Sequence, residues 1–105
     1  MWKIDSGSQS GVTSAQYQRV VLWPVAALGN KTMLLKNTDA SASLIYRLWA
    51  YTGIEIGIEV AAETTLPAGG TACFHLRQQW ARLALEVKHG SGPAAWQVEY
   101  QGQGA

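Results

Sequence analysis

The sequence predicts an all-β protein: an antiparallel β-sandwich or a jelly-roll-like small barrel of about seven to eight strands. The main observation is an alternation of apolar and polar residues between positions 54 and 100, clearest in the run Ile-Glu-Ile-Gly-Ile-Glu-Val at 54–60. Side chains on a strand point to opposite faces with period two, so each alternating stretch indicates a strand with one buried face. Turn signals about every 8–12 residues separate the stretches, a spacing typical of sandwiches and barrels.

The predicted strands follow one another at 16–23, 31–37, 43–52, 54–60, 71–77, 81–89 and 94–101. The first contains a continuous apolar run at 20–22, which is typical of a strand covered on both sides. Pro24 lacks a backbone donor, so this strand must end, bulge or lie at an edge there. The run Leu-Pro-Ala-Gly-Gly at 66–70 is the strongest turn signal, because Pro fixes one dihedral angle and Gly permits a positive φ. The run at 89–93 predicts a hairpin loop.

The chain of 105 residues suits a single domain with flexible ends. Residues 1–15 are predicted as an extended N-terminal arm, since 6–14 hold only Ser, Gly, Gln, Val and Thr without periodicity. Residues 16–101 form the β-sandwich domain, and 102–105 form a flexible tail. The alternating strands predict the following core: Val21, Leu35, Leu44, Leu48, Ile56, Ile58, Val60, Phe74, Leu76, Leu83, Leu85, Val87, Trp96, Val98 and Tyr100.

The charge content excludes some partners. Charged residues make up 14% of the chain and the net charge is +1, with the basic residues scattered. Nucleic-acid binding requires a concentrated basic patch, so no nucleic-acid partner is expected. The low charge indicates either a surface covered by another molecule or a small β protein that uses Ser, Thr, Gln and Gly for solubility.

The sequence also predicts neither a signal peptide nor a membrane-spanning segment. The first seven residues lack the apolar core of a signal peptide, and no apolar run approaches the length of a membrane span. The single cysteine, Cys73, permits no internal disulfide. The protein is therefore expected to be made in the cytoplasm and not secreted, with no membrane partner.

No motif in the chain indicates catalysis. Cys73 and His75 share one strand face, which permits either half of a metal site or an incidental strand surface, and zinc requires four ligands. Glu55 and Glu59 lie roughly 13 Å apart on one strand, at about 3.3 Å per residue, which is too far for a glycosidase pair. Glu86 and Glu99 lie on neighbouring predicted hairpin strands. We expect no enzyme, no cofactor and no metal.

The aromatic residues indicate a binding surface instead. The chain has five Trp residues, and Trp49 and Tyr51 alternate onto the strand face opposite Leu44 and Leu48. Trp80 lies between predicted strands. Exposed Trp and Tyr anchor protein interfaces and also stack on sugars. The predicted interface residues are Trp2, Ile4, Trp49, Tyr51 and Trp80.

Four segments resemble small virion proteins of tailed bacteriophages. They are Leu-Leu-Lys-Asn-Thr at 34–38, Ser-Leu-Ile-Tyr-Arg at 43–47, Leu-Pro-Ala-Gly-Gly-Thr at 66–71 and Leu-Ala-Leu-Glu-Val-Lys at 83–88. The resemblance covers residues 33–101 and lies in the pattern of strands and turns, with no residue-level functional motif to transfer.

The resemblance implies a capsid decoration (cement) protein on the virion surface. Such a protein acts as a homotrimer or homodimer and binds a major capsid protein through its sheet faces and arm. A phage tail component is the related alternative. A carbohydrate-binding module, with Trp49, Tyr51 and Trp80 stacked on sugar rings, is the alternative from a different class.

Overall fold

The protein is a two-sheet β-sandwich, as the sequence predicts. The structure, a computed structural model, describes residues 3–53 and 56–104, and the side chains from Asp5 onward. Its strands are β1 (Lys3–Val12), β2 (Gln18–Pro24), β3 (Asn30–Asn37), β4 (Leu44–Tyr51), β5 (Gly57–Leu66), β6 (Thr71–Leu76), β7 (Arg82–His89) and β8 (Ala95–Gly104). Within the described ranges no helix is long and apolar enough to cross a lipid bilayer.

The strand order is that of a jelly roll. One sheet has the order β1-β8-β3-β6 and the other β2-β7-β4-β5, and all pairs are antiparallel. Apart from β4 and β5, which pair within one sheet, successive strands cross between the sheets, which is the double Greek-key arrangement of jelly rolls. The predicted hairpin at 89–93 is wrong for this reason: β7 and β8 lie in different sheets, so Glu86 and Glu99 are not neighbours.

Alternation along each strand produces the core. On β4 every second residue from Leu44 to Ala50 is buried, and the same holds for β3 from Lys31 to Asn37. Trp23, Val25, Leu28 and Met33 belong to the core as well, beyond the residues predicted.

The predicted N-terminal arm is corrected for residues 3–12. These residues form β1, which pairs with β8 from Lys3 opposite Gly104 to Val12 opposite Ala95. Its inner face carries glycines at positions 7 and 11, where Tyr100 and Trp96 of β8 occupy the space that side chains would need. The predicted flexible tail is corrected in the same way, because residues 102–104 pair with β1, and residues 102 and 103 also pair with β3.

Two predicted core residues lie at the surface. Ile56 is 79% exposed and Ile58 is 52% exposed. β5 is an edge strand of ten residues, and a four-residue turn joins it to β6, which has only six. The start of β5 therefore extends beyond the end of β6, and no opposing strand covers it. The apolar run at 20–22 is likewise not covered on both sides, because Leu22 on the edge strand β2 is 53% exposed.

The turn between β5 and β6 is confirmed as predicted. Gly69 has a φ of 76°, and the Gly70 amide donates to the Pro67 carbonyl at 2.9 Å, which is a type II turn. The fully buried Asn37 side chain stabilises this end of the sandwich. Its Nδ2 donates to the carbonyls of Ala42 and Leu66 at 2.9 and 3.1 Å.

Buried Lys31 joins loops at the opposite end of β3. Its ammonium donates to the carbonyls of Leu28, Gly29 and Gln78 at 3.1, 2.7 and 2.8 Å. Burial lowers the pKa of Lys31. These hydrogen bonds satisfy the buried charge and give Lys31 a structural role.

Candidate interaction surface

The outer side of the sheet β2-β7-β4-β5 carries a cluster of arginines and aromatic rings, here called the arginine–aromatic face. Its members are Tyr17, Arg19, Arg47, Trp49, Tyr51, Arg82 and Glu86. Arg47, Trp49 and Tyr51 point outward because they alternate with buried Tyr46, Leu48 and Ala50 on β4. The pairing of β4, β7 and β2 then brings the other members beside them.

Glu86 lies at the centre of this face. It is opposite Arg47 on one side and Arg19 on the other in the strand register. Arg47 Nε donates to Glu86 Oε1 at 2.6 Å, and Arg19 Nη2 lies 3.6 Å from Oε2. The Glu86 side chain is only 13% exposed. A single carboxylate, itself mostly buried, therefore holds two partly exposed guanidinium groups close together.

Tyr51 is packed among arginines. The Arg82 and Arg19 guanidinium carbons lie 4.8 and 5.7 Å from its ring centroid, within the range of cation–π attraction. Arg19 Nη2 also donates to the Tyr51 hydroxyl at 3.0 Å. Gly57 lies directly opposite Tyr51, and a β-carbon there would come within 2.5 Å of the Tyr51 ring. The ring thus has a fixed position against the β5 backbone.

Tyr17 extends the same face toward Glu63. Arg47 and Lys88 lie 3.9 and 4.7 Å from the Tyr17 ring centroid, and the Tyr17 hydroxyl donates to Glu63 Oε2 at 2.5 Å. Burial and this hydrogen bond raise the pKa of Tyr17. The same hydrogen bond, with the nearby Lys88, lowers the pKa of Glu63. Tyr17 thus stays neutral and Glu63 charged at neutral pH.

The structure separates the residues predicted for the interface. Trp49 and Tyr51 lie on the arginine–aromatic face, where they line a shallow groove of about 290 Å³ together with Gly57 and Glu86. Trp80 lies between β6 and β7 and packs against the core. Ile4 belongs to β1, where its backbone is opposite Gln103, and its side chain lies outside the described set. Trp2 lies outside the described residues.

Trp49, Tyr51 and Trp80 therefore do not form one open aromatic row. Trp80 packs against the core, and guanidinium groups lie over the Tyr51 ring. These three residues therefore do not provide the flat exposed row that the carbohydrate-binding alternative predicts.

Sequence reasoning missed Tyr17, Arg19, Arg82 and the central role of Glu86. Alternation placed Arg47 beside Trp49, but it carries no information about which strand lies next to which. The missing signal was strand order. Once β7 is placed between β2 and β4, Glu86 must lie between two arginines.

A second surface feature is the uncovered start of β5, here called the β5 overhang and consisting of Ile56 and Ile58. Ile58 is opposite Ala50, which is 1% exposed and faces the core, so Ile58 points to the core side of its sheet. Ile58 is thus a core-facing apolar residue left open to solvent, and Ile56, the residue immediately before β5, is exposed beside it.

The other sheet carries a histidine and the one cysteine on its outer face. Thr32 Oγ1 and His75 Nδ1 are hydrogen-bonded at 2.9 Å, and Cys73 is exposed. Among the described residues no three or more His, Cys, Asp or Glu side chains are grouped as they would be for a metal ion.

Comparisons with known proteins support the fold alone. No protein-family model matches the sequence, and no curated protein matches it either. Among solved structures, a subunit of the disulfide-linked pili of Bacillus endospore appendages matches with a TM-score of 0.71 at 12% identity, over 99% of this chain and 88% of that one.

Two other matches come from viral sources. An infectious bursal disease virus structure (Gx strain) has a TM-score of 0.54 at 13% identity, over 98% of this chain but 33% of that one. The SPBc2 prophage-derived protein YomS has a TM-score of 0.54 at 10% identity, over 94% and 95% of the two chains. A mitogen from Yersinia pseudotuberculosis also shares the fold, with a TM-score of 0.59 at 10% identity over 91% and 84%. The resemblance to phage and virion proteins is therefore one of fold.

Proposed function

We propose that this protein is a structural subunit of a virion: a capsid decoration protein that self-associates and binds a major capsid protein. The observation that carries the proposal is the β5 overhang. Ile58 points to the core side of the sheet yet is 52% exposed, and Ile56 is 79% exposed. Exposed apolar surface of this kind marks contacts between proteins.

The arginine–aromatic face supports the same function. Trp, Tyr and Arg are the residue types that dominate binding energy in protein interfaces. Here the ion pairs and cation–π contacts hold these side chains in place before any partner binds. A preordered surface loses less side-chain entropy on association, which favours a stable assembly.

The fold matches add to this support. The pilus subunit and the bursal disease virus structure suggest that this fold suits repeated assemblies, and the prophage-derived protein suggests that it also suits a phage protein. Among structural roles of this kind, we favour a decoration protein on the virion surface over a tail or appendage component. The reason is that the sequence pattern across residues 33–101 resembles small virion proteins.

Light scattering tests self-association directly. The purified protein should have a mass that is a small whole multiple of 11.3 kDa. Ile58→Lys should weaken association at least about tenfold, since it places a charge in the covered interface. Thr65→Lys, at an exposed position on the same strand, is the matched control and should keep the wild-type mass. A stable monomer at high concentration, with no binding to capsids, would contradict the proposal.

Capsid binding is tested by co-sedimentation with capsids of the encoding phage. A decoration protein should saturate the capsid at a fixed stoichiometry. Negative-stain microscopy of the protein alone separates the two structural alternatives, because a tail or appendage component should form filaments and a decoration protein should remain a small oligomer. A glycan array tests the carbohydrate alternative, for which specific hits lost in Trp49→Ala would be required.

A further inference from the structure

The four edge strands differ in how they are protected from pairing with another chain. Natural proteins block sheet edges with prolines, bulges, charges or short strands. Of the strands that the structure describes, β2 has Pro24 and a register shift between Arg19 and Val21. β5 has two register shifts against β4 and carries Glu59 and Glu63. β6 has only six residues.

β1 has no proline, no register shift and no shortened length, and its two charged residues, Lys3 and Asp5, lie at its start. It is ten residues long and pairs with β8 without a register shift from Lys3 to Val12. Residues 6–12 contain no charge and no proline. Its free edge therefore offers a long, regular row of backbone donors and acceptors, and Val12 at its end is 60% exposed. Such an edge is a template for β-augmentation.

We propose that β1 pairs antiparallel with β1 of a second copy across a two-fold axis at Ser8, joining the two sheets into one of eight strands. The inference rests on the proposed function, because it adds to the β5 overhang a second contact through which copies associate. A symmetric dimer uses the same patch on both subunits, and an antiparallel strand pair satisfies this automatically.

The sequence of β1 fits this axis. Residues 6–10 read Ser-Gly-Ser-Gln-Ser, so Ser6 would face the second copy's Ser10, the two Ser8 residues would meet, and Gly7 would be opposite Gln9. Asp5 would face a glycine rather than the second Asp5, which would lie about 20 Å away along the strands. Val12, the exposed residue at the end of β1, would be in register with position 4 of the second copy.

Disulfide trapping tests the contact. In a Cys73→Ser background, Ser8→Cys places two thiols opposite each other at the axis. Opposed residues in antiparallel strands have Cα atoms about 4.5–5.5 Å apart, which a disulfide can bridge. Gln101→Cys is the matched control, because Gln101 lies on the same outer sheet face one strand away, opposite Ser6. Mild oxidation should yield at least about tenfold more covalent dimer for Ser8→Cys.

The register is tested with a mixture. Ser6→Cys and Ser10→Cys together should form a covalent heterodimer, whereas each alone should form little, since residues 6 and 6 of the two copies would be about 13 Å apart. Efficient cross-linking of Ser6→Cys alone would overturn the axis at Ser8.

Charge substitution provides a second, reversible measurement. Ser8→Lys and Ser8→Glu should each lower the solution mass, because like charges would meet at the axis, and an equimolar mixture should restore it. Gln101→Lys should have no effect. If the wild type associates but neither Ser8→Lys nor Ser8→Cys differs from its Gln101 control, the edge contact is wrong and the proposed function stands. A wild type that stays monomeric would contradict both.

Discussion

The ring of Tyr100 on β8 occupies the space above Gly7 on β1. A β-carbon at Gly7 would come within 2.5 Å of Tyr100 Cζ, and one at Gly11 within 2.9 Å of a Trp96 ring carbon. The Tyr100 ring also lies 4.8 Å from the Trp23 ring, centroid to centroid. Where the two strands lie side by side, β8 supplies the large core side chains. β1 supplies backbone hydrogen bonds and, at its glycines, the space that the β8 rings occupy.

Gly7→Ala should destabilise the protein. The added methyl group forces the Tyr100 ring to move, and overpacking of this kind costs about 1–3 kcal/mol. Chemical denaturation followed by Trp fluorescence measures the change. Gly92→Ala is the control, because nothing lies within 4 Å of a β-carbon at that position. Equal unfolding midpoints for the two variants would contradict the packing described for β1 and β8.

Deletion of residues 1–12 should abolish cooperative folding. It removes β1, the cover over Tyr100 and Trp96, and the hydrogen bond in which Trp23 Nε1 donates to Asp5 Oδ2 at 2.9 Å. Small domains have a total stability of only about 5–15 kcal/mol, so the loss of an entire strand should exceed what remains. Circular dichroism during thermal unfolding measures this. A truncated chain with a wild-type transition would restore the interpretation of this segment as an arm.

Glu86→Gln should destabilise the arginine–aromatic face. The substitution leaves Arg19 and Arg47 facing each other without the carboxylate that now contacts both. Hydrogen bonds to charged groups contribute about 1.5–3 kcal/mol, and the partial exposure of Arg19 places the expected loss toward the lower value. Glu99→Gln, on the outer face of the other sheet, is the matched control. Urea unfolding at low and high salt measures the loss, which should shrink with salt.

Acid should weaken the turn after β3 through Asp39. Its carboxylate accepts hydrogen bonds from the amides of Ala42, Ser41 and Ala95, and these lower the pKa of Asp39 below its ordinary value. Since the folded pKa is lowered, the stabilisation is present above the ordinary Asp value and is lost as the pH falls through the folded pKa. Asp39→Ala should therefore lower the Tm near neutral pH and flatten its decline in acid. A decline as steep as that of the wild type would contradict this role.

Strands β2 to β8 could be predicted because each carries a local signal, which is a continuous apolar run in β2 and β3 and an alternation of apolar and polar residues in the later strands. β1 could not be predicted, because it has glycines at inner positions 7 and 11. The core space next to these glycines is filled by side chains of β8. Ile56 and Ile58 show the opposite error, because the sequence predicts them to be buried and they are exposed. The alternation is real, and Ile58 does face the core side of its sheet. Their exposure depends on how far β6 extends, and the sequence of β5 carries no information about that.

The candidate site was predictable only in part. Alternation placed Trp49 and Tyr51 together on the outer face of β4. Their partners come from strands distant in sequence: Arg19 from β2, Arg82 and Glu86 from β7. These contacts follow from strand order, and strand order follows from the crossings between sheets that no local pattern records.

The pairing of Lys3 with Gly104 has a mechanical consequence. Any segment preceding β1 and any segment following β8 would leave the sandwich at the same corner. Tension between two such segments would pull β1 away from β8 one residue pair at a time, instead of shearing all ten pairs at once. A domain tethered by both ends would therefore unfold at low force, with β1 and β8 separating in sequence from that corner.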